Sequence, residues 1–295
     1  MRRLFFILRY LIQHPLTRDQ KLSAVTRFVI WQINCVINPY PVIYNFTEKA
    51  KLIVAKGMTG ATGNYYCGLH EFADMSFLLH LLRPEDVFVD VGANVGSYSV
   101  LASAHVGARS IAIEPVPKTF QALIQNIAIN QIGNLVLSCN VAVGSNNGHI
   151  EFTSNLDTVN HVATELEKDK INVQVTRLDD LMQEVKCDPL LLKIDVEGFE
   201  TEVIRGSVKT LNSSTLKAII IELNGSGKRY HFDEEQIHNQ LLSYGFSPFH
   251  YNPFGRALVA SNRWGTHNTV YIRDQKFVAD RLISSDGVKI LSKII

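Results

Sequence analysis

The stretch VFVDVGANVGSYS, Val87 to Ser99, decides the fold. Val87 to Val91 is a β-rich run, apolar except for Asp90, and it gives way to a turn punctuated by Gly92 and Gly96 and then to a helix. Glycine removes the side chain where the backbone turns sharply, and the helix start that follows presents N–H groups with no intrahelical partner. A strand leaving through such a turn into a helix is the opening unit of a doubly wound α/β sheet, whose ligand edge lies at the carboxyl ends of the strands.

The same alternation continues outward. Ser110 to Ile113, Leu135 to Val141, Leu190 to Ile194 and Ala218 to Leu223 read as further strands, apolar nearly throughout, as strands covered on both faces are. Helix candidates are Tyr98 to Ala104, Lys118 to Asn130, Leu178 to Glu184, Glu200 to Leu211 and Asp233 to Tyr244. Phe246 to His250, Ala257 to Ala260 and Thr269 to Arg273 are strands joined by turns, which predicts an antiparallel carboxyl-terminal edge on a mainly parallel, Rossmann-like sheet. Between Val143 and Thr176 the pattern loosens into a turn, Gly144 to Gly148, and two short strands, an insertion that either covers a substrate or is a hairpin without ligand contact. The expected division is an amino-terminal helix and glycine-rich cap over 1–70, an α/β domain over 71–275 and a carboxyl-terminal tail over 276–295. In the cap, the four glycines between Gly57 and Glu71 predict either a mobile lid or a rigid cap.

The composition of the 295 residues, 46% hydrophobic and 19% charged with net charge +1, excludes a disordered chain and a polybasic nucleic-acid binder. Cys35, Cys67, Cys139 and Cys187 have neither disulfide nor zinc spacing, which predicts a reducing, cytoplasmic setting. Arg9 interrupts the apolar run that begins at Leu4, and no segment reaches the roughly 20 apolar residues of a membrane span. What remains is a basic amphipathic helix with Arg2, Arg3 and Arg9 among Phe5, Phe6 and Leu8, which packs on protein or lies at the inner membrane face. Oligomeric state is not written in this pattern.

The polar residues cluster at strand ends. Asp90 precedes a G-x-x-x-G turn rather than the G-x-G-x-x-G of dinucleotide sites, and an acid there repels a pyrophosphate but suits the sulfonium of S-adenosylmethionine. Glu114 ends the second strand, where an acid accepts adenosine ribose hydroxyls in either cofactor class. Lys193, Asp195 and Glu197 end the fourth strand, with Lys193 and Asp195 on one face, and Asp195 is placed to orient or deprotonate an acceptor hydroxyl. Glu200 either joins them or charges the first turn of its helix, and Glu222 and Asn224 end the next strand. A divalent metal on Asp195 with Glu197 or Glu222 would replace a carboxylate base, and His161 on the insertion is a second base candidate.

DVGANVGSYS, the IEP of Ile113 to Pro115, LLKIDVEGFE and IIIELN, in this order, resemble the FkbM family of S-adenosylmethionine-dependent methyltransferases from Val87 to Glu222. The resemblance implies a class I methyltransferase fold and O-methylation of a hydroxyl on a sugar, glycan or secondary metabolite. By the same resemblance Asp90, Gly92, Asn94 and Gly96 line the methionine and ribose, Glu114 the ribose hydroxyls, and Asn140 and Ala142 the base, while Lys193, Asp195 and Glu197 form the acceptor side. Two alternatives stand beside it: a nicotinamide-dependent oxidoreductase, and a non-catalytic module that keeps only the adenosine pocket.

Overall fold

The strands, in chain order, are β1 (Val42–Asn45), β2 (Lys51–Val54), β3 (Val87–Val91), β4 (Arg109–Ile113), β5 (Val136–Cys139), β6 (Ala142–Val143), β7 (Gly148–Thr153), β8 (Lys170–Thr176), β9 (Leu191–Ile194), β10 (Ala218–Glu222), β11 (Ser247–Asn252), β12 (Ala257–Ala260), β13 (Asn268–Ile272), β14 (Lys289–Ile290) and β15 (Lys293–Ile294). The helices are α1 (Arg2–Gln13), α2 (Lys21–Ile37), α3 (Thr59–Cys67), α4 (Phe72–Leu81), α5 (Ser97–Val100), α6 (Pro117–Ile129), α7 (Leu178–Val185), α8 (Glu200–Arg205), α9 (Val208–Asn212), α10 (Glu234–Ser243) and α11 (Gln275–Ser284). These come from a computed structural model describing residues 2–38, 40–156, 160–165 and 167–295; the side chains of residues 2–4, Arg2 and Arg3 among them, lie outside that description.

Among the described residues the main sheet has eight strands in the order β12-β11-β13-β10-β9-β3-β4-β5. β10, β9, β3, β4 and β5 are parallel, and β13 runs antiparallel to its neighbours β10 and β11. The antiparallel edge expected from the sequence is present, with β13 slotted between β10 and the earlier β11. Successive residues of the central strands serve opposite layers, which explains their unbroken apolar sequence. Phe88, Ala112, Leu191 and Ile220 enter the core under α4 and α11, whereas Val89, Ile111, Leu192 and Ile219 enter the other.

Three sequence boundaries move. The run Leu135 to Val141 is not one strand, because the chain leaves the main sheet at Cys139 and β6 pairs with β8 in a separate sheet of order β6-β8-β7. The helix expected over Glu200 to Leu211 is two, α8 and α9, broken around Gly206, where an added Cβ would stand 2.0 Å from the Gly144 carbonyl oxygen. The stretch expected as a tail is α11 and a hairpin, and Val278, Leu282, Val288 and Ile290 are buried in the core.

The glycine-rich stretch, expected as a mobile lid or a rigid cap, is helical over Thr59–Cys67. α3 runs from Thr59 through Gly60 and Gly63, and joins α1, α2 and β2 to the main domain through one apolar cluster containing Leu11, Phe28, Trp31, Val54, Val95 and Ala122. Asn126 on α6 and Asn130 just past its end accept hydrogen bonds from the Ile53 and Lys51 N–H groups, each at 2.8 Å, which fixes the β1–β2 hairpin on that helix. No helix among the described residues is long and apolar enough to cross a membrane.

Candidate active site

The site forms where the strand order reverses. From β3 the chain builds β4 and β5 on one side, then returns through β9 on the other, so the turns leaving β3 and β9 lie side by side. They touch directly. A Cβ on Gly92, whose φ is +81°, would stand 1.8 Å from the Asp195 carbonyl oxygen, and one on Gly96, at φ +86°, would stand 2.4 Å from Leu123 Cδ1. Turn-on-turn and turn-on-helix packing thus demands both glycines, independently of any ligand.

Above these turns lies a cavity of about 450 Å³. Gly92 to Val95, Glu114, Asp195, Glu197 and Glu222 form its floor, α3 and the following His70 and Glu71 close it from the cap, and Ile7 and Tyr10 reach it from α1. Phe152 and Asn160 of the insertion also line it, so the insertion has a wall in the cavity.

Glu114 is buried and takes two backbone donors: Oε2 accepts from Asn94 N–H at 3.0 Å, and Oε1 from Val116 N–H at 2.9 Å. Burial pushes its carboxyl up to about 7, against the opposing effect of those two N–H groups. Each carboxylate oxygen has a second lone pair, so one acid both clamps the turn and keeps acceptor capacity at the cavity wall.

Lys193 is buried, donates to Asp195 Oδ2 at 2.8 Å and stands 4.8 Å from the centre of the Tyr98 ring. Burial alone would lower its pKa, but the carboxylates of Asp195, Asp90 and Glu71 outweigh it and hold the ammonium charged. Asp195, Glu197 and Glu222 bring carboxylate oxygens within 4.8 Å of one another. Burial, followed by the Asp195 charge, raises Glu197 to about 7 and Glu222 to about 8. Among the described residues Glu222 Oε2 is buried without a hydrogen-bond partner, and Glu197 adopts a left-handed φ of 55° beside Gly198. Near neutral pH this cluster therefore holds protons that isolated glutamates would have released.

Residues 90–248, more than half of the chain, match the methyltransferase FkbM domain. The chain belongs to the FkbM methyltransferase family. Its sheet is the mainly parallel α/β arrangement anticipated from the sequence, with β13 inserted antiparallel between β10 and β11 and β12 antiparallel at the edge. Hexuronic acid methyltransferase AglP of Haloferax volcanii is 28% identical over 148 residues, 50% of this chain and 59% of AglP. The 31-O-demethyl-FK506 methyltransferase FkbM of Streptomyces tacrolimicus is 27% identical over 192 residues, 52% of this chain and 72% of that protein. Methyltransferase FkbM of Methylobacillus flagellatus, a solved structure, aligns with 83% of this chain and 60% of its own at 16% identity and a TM-score of 0.45. The matched region thus spans about three fifths of the length of AglP.

In this FkbM-family chain, Gly92, Asn94, Glu114, Lys193, Asp195 and Glu197 all line the cavity. Asp90 does not: it sits beside Lys193 in the sheet register, its Oδ2 accepts from Ser99 Oγ at 2.7 Å, and burial raises its pKa against the pull of Lys193. It is placed as a counter-charge beneath the site. Gly96 likewise lies off the lining. Asn140 donates to the Glu114 and Pro115 carbonyls at 2.8 and 3.0 Å, and Ala142 packs with Val116, Phe152 and Val175; neither reaches the cavity. Val116 and Phe152, packed with Ala142, do reach it.

His161 is buried on the insertion with Nε2 3.2 Å from Glu167 Oε1, away from the lining. Glu200 Oε1 accepts from the Val196 and Gly198 N–H groups at 3.1 and 3.2 Å, a brace for the acidic turn, and Asn224 accepts from Ser226 N–H. Asn64, His70 and Glu71, in the glycine-rich stretch expected as a lid or cap, line the cavity, and Tyr10 was missed. Tyr10 Oη donates to the His70 carbonyl at 2.7 Å and lies 2.9 Å from His70 Nδ1, and a Cβ on Gly63 would strike the His70 ring at 2.6 Å.

The raised Glu222 yields a signed pH effect. Between its ordinary value of 4.5 and about 8, the folded state holds a proton that the unfolded chain has released, so stability falls as pH rises through this window. Glu222→Gln removes that loss. Thermal melts of the ligand-free protein should show no gain at pH 4.5 and a gain of about 2–4 °C at pH 8.5, roughly 1 kcal/mol for a partly exposed group. Equal melting shifts at both pH values would overturn this account.

Proposed function

We propose that the chain transfers a methyl group from S-adenosylmethionine to a hydroxyl of a sugar, glycan or secondary metabolite. The charge of the cavity wall carries this reading. Glu71, Glu114, Asp195, Glu197 and Glu222 line it against a single lysine, Lys193, among the described residues. Such a wall offers the pyrophosphate of a nicotinamide dinucleotide no cation beyond Lys193, whereas a bound sulfonium and ammonium draw the retained protons off its glutamates and are paired by the carboxylates so formed. The names of the relatives, a hexuronic acid methyltransferase and a 31-O-demethyl-FK506 methyltransferase, support a hydroxylated acceptor.

The residues fit that cofactor. The Gly92 to Val95 turn and Glu114 would hold its amino-acid and ribose parts, and when bound it supplies an electrophilic methyl. The acceptor lies on the side of Asp195, Glu197 and Glu222. With cofactor and acceptor bound, Asp195, held in place by Lys193 at 2.8 Å, would accept the hydroxyl proton as the acceptor oxygen takes the methyl group. Alignment of the two reactants contributes most, roughly 7 to 11 kcal/mol, and the base a further factor of about a hundred to ten thousand.

Isothermal titration should detect S-adenosylhomocysteine binding and no NAD binding. Glu114→Ala should weaken the former about tenfold or more, with Glu114→Gln intermediate, because the amide keeps one acceptor oxygen. Unaltered affinity in both variants would remove Glu114 from the ribose site. Release of S-adenosylhomocysteine with uronic-acid glycans, followed by mass analysis of the product, separates the enzyme from a module that only binds.

A further inference from the structure

The cavity leaves one large feature unexplained. Leu22, Val29, Ile30, Ile33, Val36 and Ile37 are all exposed on α2, Val36 by 85%, and their spacing of three and four residues puts them on one helix face. On α1, Phe5 and Phe6 are 64% and 65% exposed, and Arg9 is exposed on the same face. A monomer in water rarely leaves so continuous an apolar surface uncovered.

Charge selects the occupant. Residues 1–47 carry six arginines and lysines and one acid, Asp19, while the whole chain is only +1, so the positive excess is concentrated in this hairpin. A second copy of the same surface would set cation against cation. A lipid surface of anionic headgroups over acyl chains satisfies both the cations and the aliphatic stripe.

We infer that the outer faces of α1 and α2 dock on an anionic lipid surface, and that the acceptor of the proposed transfer is a lipid-anchored saccharide. The second clause rests on the proposed function and on one further observation: Ile7 and Tyr10 of the same helix line the cavity. Docking α1 therefore brings the cavity wall to the lipid surface, where a hydroxylated headgroup is presented without leaving the membrane.

Cosedimentation of the full chain with vesicles tests the docking. Binding is expected to phosphatidylcholine vesicles containing phosphatidylglycerol, to be at least tenfold weaker to phosphatidylcholine alone, and to fall with added salt. Ile33→Glu with Val36→Glu, and separately Arg9→Glu with Lys21→Glu, should each lower it tenfold or more. Their S-adenosylhomocysteine affinity and melting temperature should match the parent's, which shows that fold and cofactor site are intact. No binding to either vesicle, or a concentration-dependent dimer abolished by Val36→Glu, overturns the docking and assigns the face elsewhere. For the acceptor, these variants should slow methylation of a vesicle-borne glycolipid while sparing the same glycan in solution. Equal slowing of both overturns the lipid-anchored substrate and leaves the methyl-transfer reading standing, whereas absence of turnover on both in the parent defeats that reading itself.

Discussion

Gly92→Ala is expected to cost roughly 2–5 kcal/mol of stability, a large share of the about 5–15 kcal/mol that holds a folded domain together. Two effects add. A φ of +81° is unfavourable for an L-residue by about 1–2 kcal/mol, and the new Cβ would lie 1.8 Å from the Asp195 carbonyl oxygen. That oxygen belongs to backbone in the adjacent turn, so relief requires β3 and β9 to separate, an overpacking cost of about 1–3 kcal/mol. Denaturant unfolding of the variant checks this, with Gly133→Ala as the control because nothing lies within 4 Å of a Cβ there. If Gly92 served only ligand approach, its variant would melt like the parent and lose S-adenosylhomocysteine affinity alone.

Asp195→Asn should reduce turnover about a hundredfold or more while leaving S-adenosylhomocysteine affinity within a few-fold. The substitution keeps the shape of the group and removes its negative charge, including the ionic partner of Lys193 at 2.8 Å. Asp90, beside Lys193 in the sheet, and Glu71 remain as counter-charges to the buried ammonium. The decisive comparison is turnover against cofactor affinity on the same preparation. A large loss of affinity would put Asp195 on the cofactor side, and unchanged turnover would leave reactant alignment as the whole of catalysis.

The central strands were legible because both faces of β3, β4, β9 and β10 are covered, so their burial is written as continuous apolar runs that end in acids. Glu114, Asp195 and Glu197 were legible for a related reason: a carboxylate at the exit of an apolar strand has no business in the core and marks the ligand edge. The same logic misplaced Asp90. It lies one residue inside its strand, where the pleat directs it into the sheet beside Lys193 rather than over the turn. The strand over Leu135 to Val141 misled in another way, since a short apolar run cannot record that its last residues pair with a different sheet.

The sequence by itself determined the sheet, its winding and the acidic edge that lines the cavity, because strand period, glycine turns and helix spacing are local properties that each segment carries alone. Tertiary structure decided what closes the cavity. Tyr10 lies sixty residues from His70, Glu71 nearly two hundred from its partner Asn268, and Gly92 about a hundred from the carbonyl that forbids it a side chain. Such contacts depend on how elements pack across the chain, and no periodicity within a segment encodes the side chains it will meet from another.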